Sequence, residues 1–257
     1  PYTCSRELLD ECKRLSDEYD LFMHIHISEV QNEITGHKTS KPNMTNVEFL
    51  DDIGFLSPRV IAAHTIWLTD KDIEILKRRG VKTVHNPTSN MKISAGIAPV
   101  AKLLKAGVPV ALGTDSAASN NRLDMFEAMK TAALLQKVST GDPTVLPAET
   151  CLRLATIEGA KVIGAEDRLG SIEEGKLADI ILLDFSEPHL QPWHKEHPEN
   201  TIAHIVYSAC SRDVCTVIIN GKIILQDRSF LEIDEYEVIK GSQKAAKEIL
   251  YQAGVLK

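Results

Sequence analysis

The chain has no basic excess, no long apolar run and no paired-cysteine motif, and each lack excludes something. Its 29 Lys and Arg stand against 36 Asp and Glu, a formal charge of −7. That argues against a nucleic-acid binder whose affinity comes from phosphate contacts. No apolar run approaches the roughly 20 residues a bilayer span requires, and no signal-peptide pattern opens the sequence. A cytoplasmic protein with no membrane partner is expected. The five cysteines (4, 12, 151, 210 and 215) are odd in number and include no CxxC pair. Reduced thiols are expected, not a disulfide framework. With 14 Gly and 11 Pro in 257 residues and 43% hydrophobic content, collagen-like, low-complexity and disordered classes fall away. The opening Pro1-Tyr2-Thr3-Cys4-Ser5 holds no initiator Met and runs straight into a helical pattern, Arg6 to Tyr19. It reads as part of a longer polypeptide.

What is there alternates. Leu21 to Ile27, Val60 to His64, Thr83 to Asn86 and Pro109 to Gly113 have strand character. Helical patterns fall between and after them: near Asn46 to Asp52 with Asn46 as cap, Asp70 to Arg79 capped by Thr69 and stopped by Gly80, Ala98 to Ala106, and Leu123 to Lys137. Four strand–helix units with short connections predict parallel strands joined by right-handed crossovers. One further helix is expected over Pro147 to Gly164. Beyond it, Asp179 to Asp184, His204 to Ser208 and Val214 to Ile224 (turning at Asn220-Gly221) read as β segments. The expected division is 1–165 α/β, 166–232 a small β unit, and 233–257 a C-terminal helix.

In parallel α/β folds chemistry gathers at the C-terminal strand ends. Those ends carry His26 with Glu29, then His64, His85-Asn86 and Asp115. Three histidines and two acids on one rim suit a metal-assisted hydrolase. His24 and His26 share a strand face, but His24 lies ~6.6 Å deeper at ~3.3 Å per residue, so His26 is the better ligand candidate. Glu29 is either a proton shuttle or a loop acid. His64 is either a site residue or a buried structural histidine. Asp115 is either a site acid or a cap, with Ser119 or Asn120 as alternative helix caps. His85 is open between core and site. The HxxH histidines of the loop Ser186 to Asn200 read as solvated.

Several runs resemble the amidohydrolase superfamily: His26-Ile27-Ser28-Glu29, Ala62-Ala63-His64, His85-Asn86-Pro87-Thr88-Ser89-Asn90-Met91-Lys92 and Gly113-Thr114-Asp115 through Asn121. The similarity is greatest to its branch of 5′-methylthioadenosine/S-adenosylhomocysteine deaminases and covers essentially the whole chain. The resemblance implies the second half, strands five to eight, of a metal-dependent (β/α)₈ barrel, followed by the C-terminal part of a small β-sandwich. It implies one divalent metal, Zn²⁺ before Fe or Mn, held here by His26 and Asp115. The family's first-strand His-x-His would supply further ligands, and His24-Ile25-His26 is not that pair. His64 matches the histidine that orients the attacking water and Glu29 the acid that contacts the purine and shuttles a proton. Ser119 matches a loop residue approaching the substrate. Catalysis would thus fall to Glu29, His64 and Asp115, in a homo-oligomer.

The reaction so implied is hydrolytic deamination of an adenosine-type nucleoside (5′-methylthioadenosine, S-adenosylhomocysteine or 5′-deoxyadenosine) with release of ammonia. The alternatives are a guanine or pterin deaminase, a chlorotriazine hydrolase, or an inactive fragment. The other zinc deaminase class carries a P-C-x-x-C signature, which this sequence does not contain.

Overall fold

The computed structural model describes residues 1–34 and 44–256. The first helix, α1 (Arg6–Tyr19), begins where the Ser5 hydroxyl accepts the Leu8 N–H, and it ends at Asp20 in the left-handed region. The strand β1 (Met23–Ile27) follows. Part of the loop expected ahead of Asn46 lies outside the described residues. The helix α2 (Asn46–Asp52) is capped by Thr45, not by Asn46. The Thr45 hydroxyl accepts the Glu48 N–H while the Glu48 carboxylate returns to the Thr45 N–H, a reciprocal box that satisfies two free donors. Asn46 is buried and spends its side-chain amide on Glu33, at 2.7 Å.

The alternation continues with β2 (Val60–His64), α3 (Asp70–Arg79), β3 (Lys82–His85), α4 (Pro87–Lys92), α5 (Val100–Ala106), β4 (Val110–Leu112), α6 (Ala117–Asn120) and α7 (Met125–Thr140). As expected, Thr69 caps α3 and Gly80 ends it at φ 66°. Ser116 caps α6, and the alternative caps Ser119 and Asn120 lie within that helix. The helix expected over Pro147 to Gly164 is two, α8 (Ala148–Ala155) and α9 (Ile157–Val162), because Thr156 breaks the ladder at φ −125°, ψ −100°.

The four strands form one parallel sheet in the order β1-β2-β3-β4. Pairing aligns His26 with Ala63, Ala63 with Val84 and Val84 with Ala111. Because side chains alternate, these four share one face, and His85 stands on the other. Ile61, Val84 and Ala111 pack with Val162 of α9 on the His26 side.

Two compact units emerge: residues 1–176 with 186–211, and residues 177–185 with 212–257. The helix α10 (Pro198–Tyr207) belongs to the first and packs on α7 and α8. It corrects the strand expected over His204 to Ser208. Pro198 sits at an N-terminal helical position, where its missing N–H does no harm. The first unit runs on to residue 176, where a division at 166 is expected, and residues 186–211 return to it.

The second unit holds an antiparallel sheet of β5 (Ile180–Leu183), β6 (Val214–Ile219), β7 (Lys222–Gln226) and β8 (Ser229–Phe230), in that order. The expected Asn220-Gly221 turn joins β6 to β7, both residues at positive φ. The same unit contains α11 (Glu235–Gln252), started by Asp234. No disulfide joins any of the five cysteines, all of which lie among the described residues. No described helix is long and apolar enough to cross a membrane.

Candidate active site

The ends of β1, β2 and β4 share an uncommon backbone feature. Ser28 (φ 54°), His64 (φ 72°) and Asp115 (φ 61°) all occupy the left-handed region without being glycine. Such conformations persist only where surrounding bonds over-determine them, and they concentrate at functional sites. Those bonds are visible. The Ser28 carbonyl accepts the Ile66 and Trp67 N–H groups, both at 3.0 Å, and the Ile27 carbonyl accepts the Thr65 N–H. The loop after β2 is thus tied to the end of β1. On the β1 side, the buried Glu33 carboxylate accepts the Glu29 and Val30 N–H groups at 3.1 and 3.0 Å, which fixes the turn that carries Glu29.

These constraints bring His26, Glu29 and His64 together. Their ligating atoms all lie within 4.8 Å of one another. The His26 and His64 rings stack with centroids 5.0 Å apart. His64 Nε2 stands 3.6 Å from Glu29 Oε1, and His64 Nδ1 lies 2.7 Å from Asn90 Oδ1. His64 is fully buried, and its Nε2 has no hydrogen-bond partner among the described residues. A buried, unpartnered imidazole nitrogen beside a carboxylate and a second imidazole is a donor set that fits a borderline divalent cation such as zinc.

Asp115 stands outside that cluster. Its Oδ2 accepts the Ser89 hydroxyl at 2.5 Å and the Ser119 hydroxyl at 2.9 Å, and its Oδ1 accepts the Ser116 N–H at 2.8 Å. Burial pushes the carboxyl group up. The three hydrogen bonds and the charge on His64 outweigh it, and the group is held below the ordinary Asp range. An ionised, oriented carboxylate results.

His24, deeper on the same strand face, is held below the ordinary imidazole range by burial and then by the charges of His26 and His64. His85, the histidine open between core and site, is a core residue. It is completely buried, and burial, followed by the charge on His64, pushes it down to about 3. Three further residues matter here that the sequence reading gave no role: Glu33, Ser89 and Asn90. The only signal for the last two was their place in the run His85 to Lys92.

The chain is similar to several known proteins. A 5′-deoxyadenosine deaminase of Methanothermobacter thermautotrophicus is 50% identical over 249 residues, which are 97% of this chain and 56% of that protein. A 5-methylthioadenosine/S-adenosylhomocysteine deaminase of Desulforudis audaxviator is 46% identical over 250 residues, 97% of this chain and 57% of that protein. This chain therefore spans little more than half the length of the curated relatives it matches. A zinc-bound crystal structure of an adenosine deaminase from Xanthomonas campestris superposes with a TM-score of 0.91 at 36% identity, covering 97% of this chain and 55% of that one. The Amidohydrolase family profile matches residues 1–224. The chain belongs to the amidohydrolase family.

Proposed function

We propose that this chain carries catalytic residues of a hydrolytic deaminase acting on an adenosine-type nucleoside of the 5′-deoxyadenosine, 5′-methylthioadenosine or S-adenosylhomocysteine class. The observation that carries the reading is the convergence of His26, Glu29 and His64 within 4.8 Å, in a chain 50% identical to a 5′-deoxyadenosine deaminase. The parallel sheet is read as the second half of a (β/α)₈ barrel and the antiparallel sheet as part of a β-sandwich. His26 and Asp115 would hold one divalent ion. Such an ion, when bound, lowers the pKa of water and polarises it for attack.

The protein's own groups do the rest. His64 accepts a hydrogen bond from water through Nε2 and aims it at C6 of the purine. Glu29 delivers a proton to the ring nitrogen, so that charge developing there is neutralised in the transition state. Asp115 carries a proton towards the departing amine. Ser119, hydrogen-bonded to Asp115, marks where the loop after β4 meets the substrate. A homo-oligomer remains part of this reading.

Ammonia release from a panel tests it, using the polypeptide of the relatives' length and its Glu29→Gln variant. The expected outcome is turnover of the 5′-substituted adenosines, with the variant slower by about 10²–10⁴-fold, the usual contribution of a positioned acid–base group. Turnover of guanine, a pterin or a chlorotriazine in preference to every adenosine would overturn the substrate assignment. A variant as fast as the parent would remove Glu29 from the chemistry.

A further inference from the structure

We propose that Asn90 is a positioning residue that sets the tautomer of His64, holding the proton on Nδ1 and leaving the Nε2 lone pair for water. The inference deepens the deaminase reading and rests on it for the role of that lone pair. The geometry itself is independent of the reading.

A neutral imidazole has one N–H and one lone pair, and the partner of either nitrogen decides which is which. His64 Nδ1 meets Asn90 Oδ1 at 2.7 Å, and both side chains are buried. An amide oxygen only accepts, so Nδ1 donates and Nε2 is left unprotonated. Nε2 is the atom that faces Glu29 Oε1 at 3.6 Å and finds no hydrogen-bond partner among the described residues. A lone pair there can receive a hydrogen bond from water, whereas an N–H could not.

Asn90 does not make sense as a packing residue. Its Nδ2 is buried with no hydrogen-bond partner among the described residues, and an unmatched buried donor lowers stability. An apolar residue of similar volume would avoid that penalty. What Asn90 gains from being an amide is the contact to His64.

The place of Asn90 in the chain supports the assignment. It lies in α4 beside Ser89, whose hydroxyl reaches Asp115. Adjacent helical residues diverge by about 100°, so one short helix braces two separate strand ends. His64 and Asp115 are both held at positive φ, where an outside anchor is most needed.

The test is ¹⁵N NMR of histidine-labelled, metal-free protein at pH 8, above the ordinary imidazole pKa of about 6.5. The parent should show a protonated Nδ1 and an unprotonated Nε2 for His64. Asn90→Asp, which keeps the acceptor oxygen, should retain that pattern, and Asn90→Ala should lose it. A proton on Nε2 in the parent overturns the proposal without any variant, as does an unchanged pattern in Asn90→Ala. In a preparation that deaminates, Asn90→Ala should lower kcat by about 10- to 100-fold with KM little changed, as expected for misplacement of a water-orienting group. Asn90→Asp should recover most of that loss. A parent inactive on every adenosine defeats the deaminase reading and leaves the tautomer result standing.

Discussion

His85 shows how little a side chain's type says about its task. Like His26 and His64 it ends a strand, and like them it can bind a metal. The register sets it on the face opposite His26, where it is completely buried, with neither ring nitrogen hydrogen-bonded among the described residues. Its pKa, pushed down to about 3, has a consequence for stability. Below the unfolded value of about 6.5, the unfolded chain takes up a proton that the folded chain refuses until pH 3 is approached. Stability therefore falls as pH drops through that window. The loss from this group alone should be about 2 kcal/mol between pH 7 and pH 5. Urea unfolding of the parent and of His85→Leu at both pH values checks this, since the variant should lose less than the parent over the same interval. Equal losses would mean that His85 protonates in the folded state. At this scale the sequence made His26, Glu29 and His64 legible, because strand ends are where such chemistry gathers. Asn90 was not legible, since its partner His64 is 26 residues away and only the fold makes them neighbours.

Elements were legible where their signals are local. All four parallel strands stand within a residue or two of their expected bounds, because each is a short apolar run closed by polar or turn residues. The failures have equally physical causes. No element is expected from Pro87-Thr88-Ser89-Asn90, yet it forms α4, with Pro87 pre-setting the first helical φ. Residues 204–208 have the β-branched and aromatic content of a strand, but packing against α7 and α8 makes them the end of a helix. Glycine contrasts two elements. A Cβ on Gly113, just beyond β4, would stand 2.4 Å from Asn86 Oδ1 and 2.9 Å from Val84 Cγ1. Gly113→Ala should therefore destabilise by about 1–3 kcal/mol, as overpacking does, and it should displace Asp115 two residues on. A Cβ on Gly241, inside α11, meets nothing within 4 Å. Gly241→Ala should be neutral or stabilising by up to about 1 kcal/mol, the helix-propensity difference. Denaturant midpoints of the two variants beside the parent check both. A neutral Gly113→Ala would show that the strand end yields, and the close approach would then explain nothing about the site.

For the whole molecule, the open matter is which residues hold the ion, and the count of ligands makes it answerable. Catalytic zinc takes three protein ligands and leaves a position for water. Two sets compete within the first compact unit, which contains every candidate. The family resemblance names His26 and Asp115, and needs a contribution beyond these two. Geometry groups His26, Glu29 and His64. Asp115 has the properties of a ligand prepared in advance. Its carboxylate is held below the ordinary range, and three donors orient it. Hydrogen bonds of that kind fix a ligand's direction and tune its basicity. His64, with Nδ1 bonded to Asn90, can offer Nε2 to water or to an ion in either set, so Asp115 and Glu29 are the residues that separate the two. Asp115→Asn should consequently weaken zinc binding by at least about tenfold, the scale of losses seen even for residues that only support a ligand. Glu29→Gln should change zinc binding far less. Competition with a chromophoric chelator, with both variants measured beside the parent, decides between the sets. Should Glu29→Gln strip the zinc while Asp115→Asn keeps it, the ion sits among His26, Glu29 and His64. Glu29 would then be a ligand and could not serve as the proton carrier.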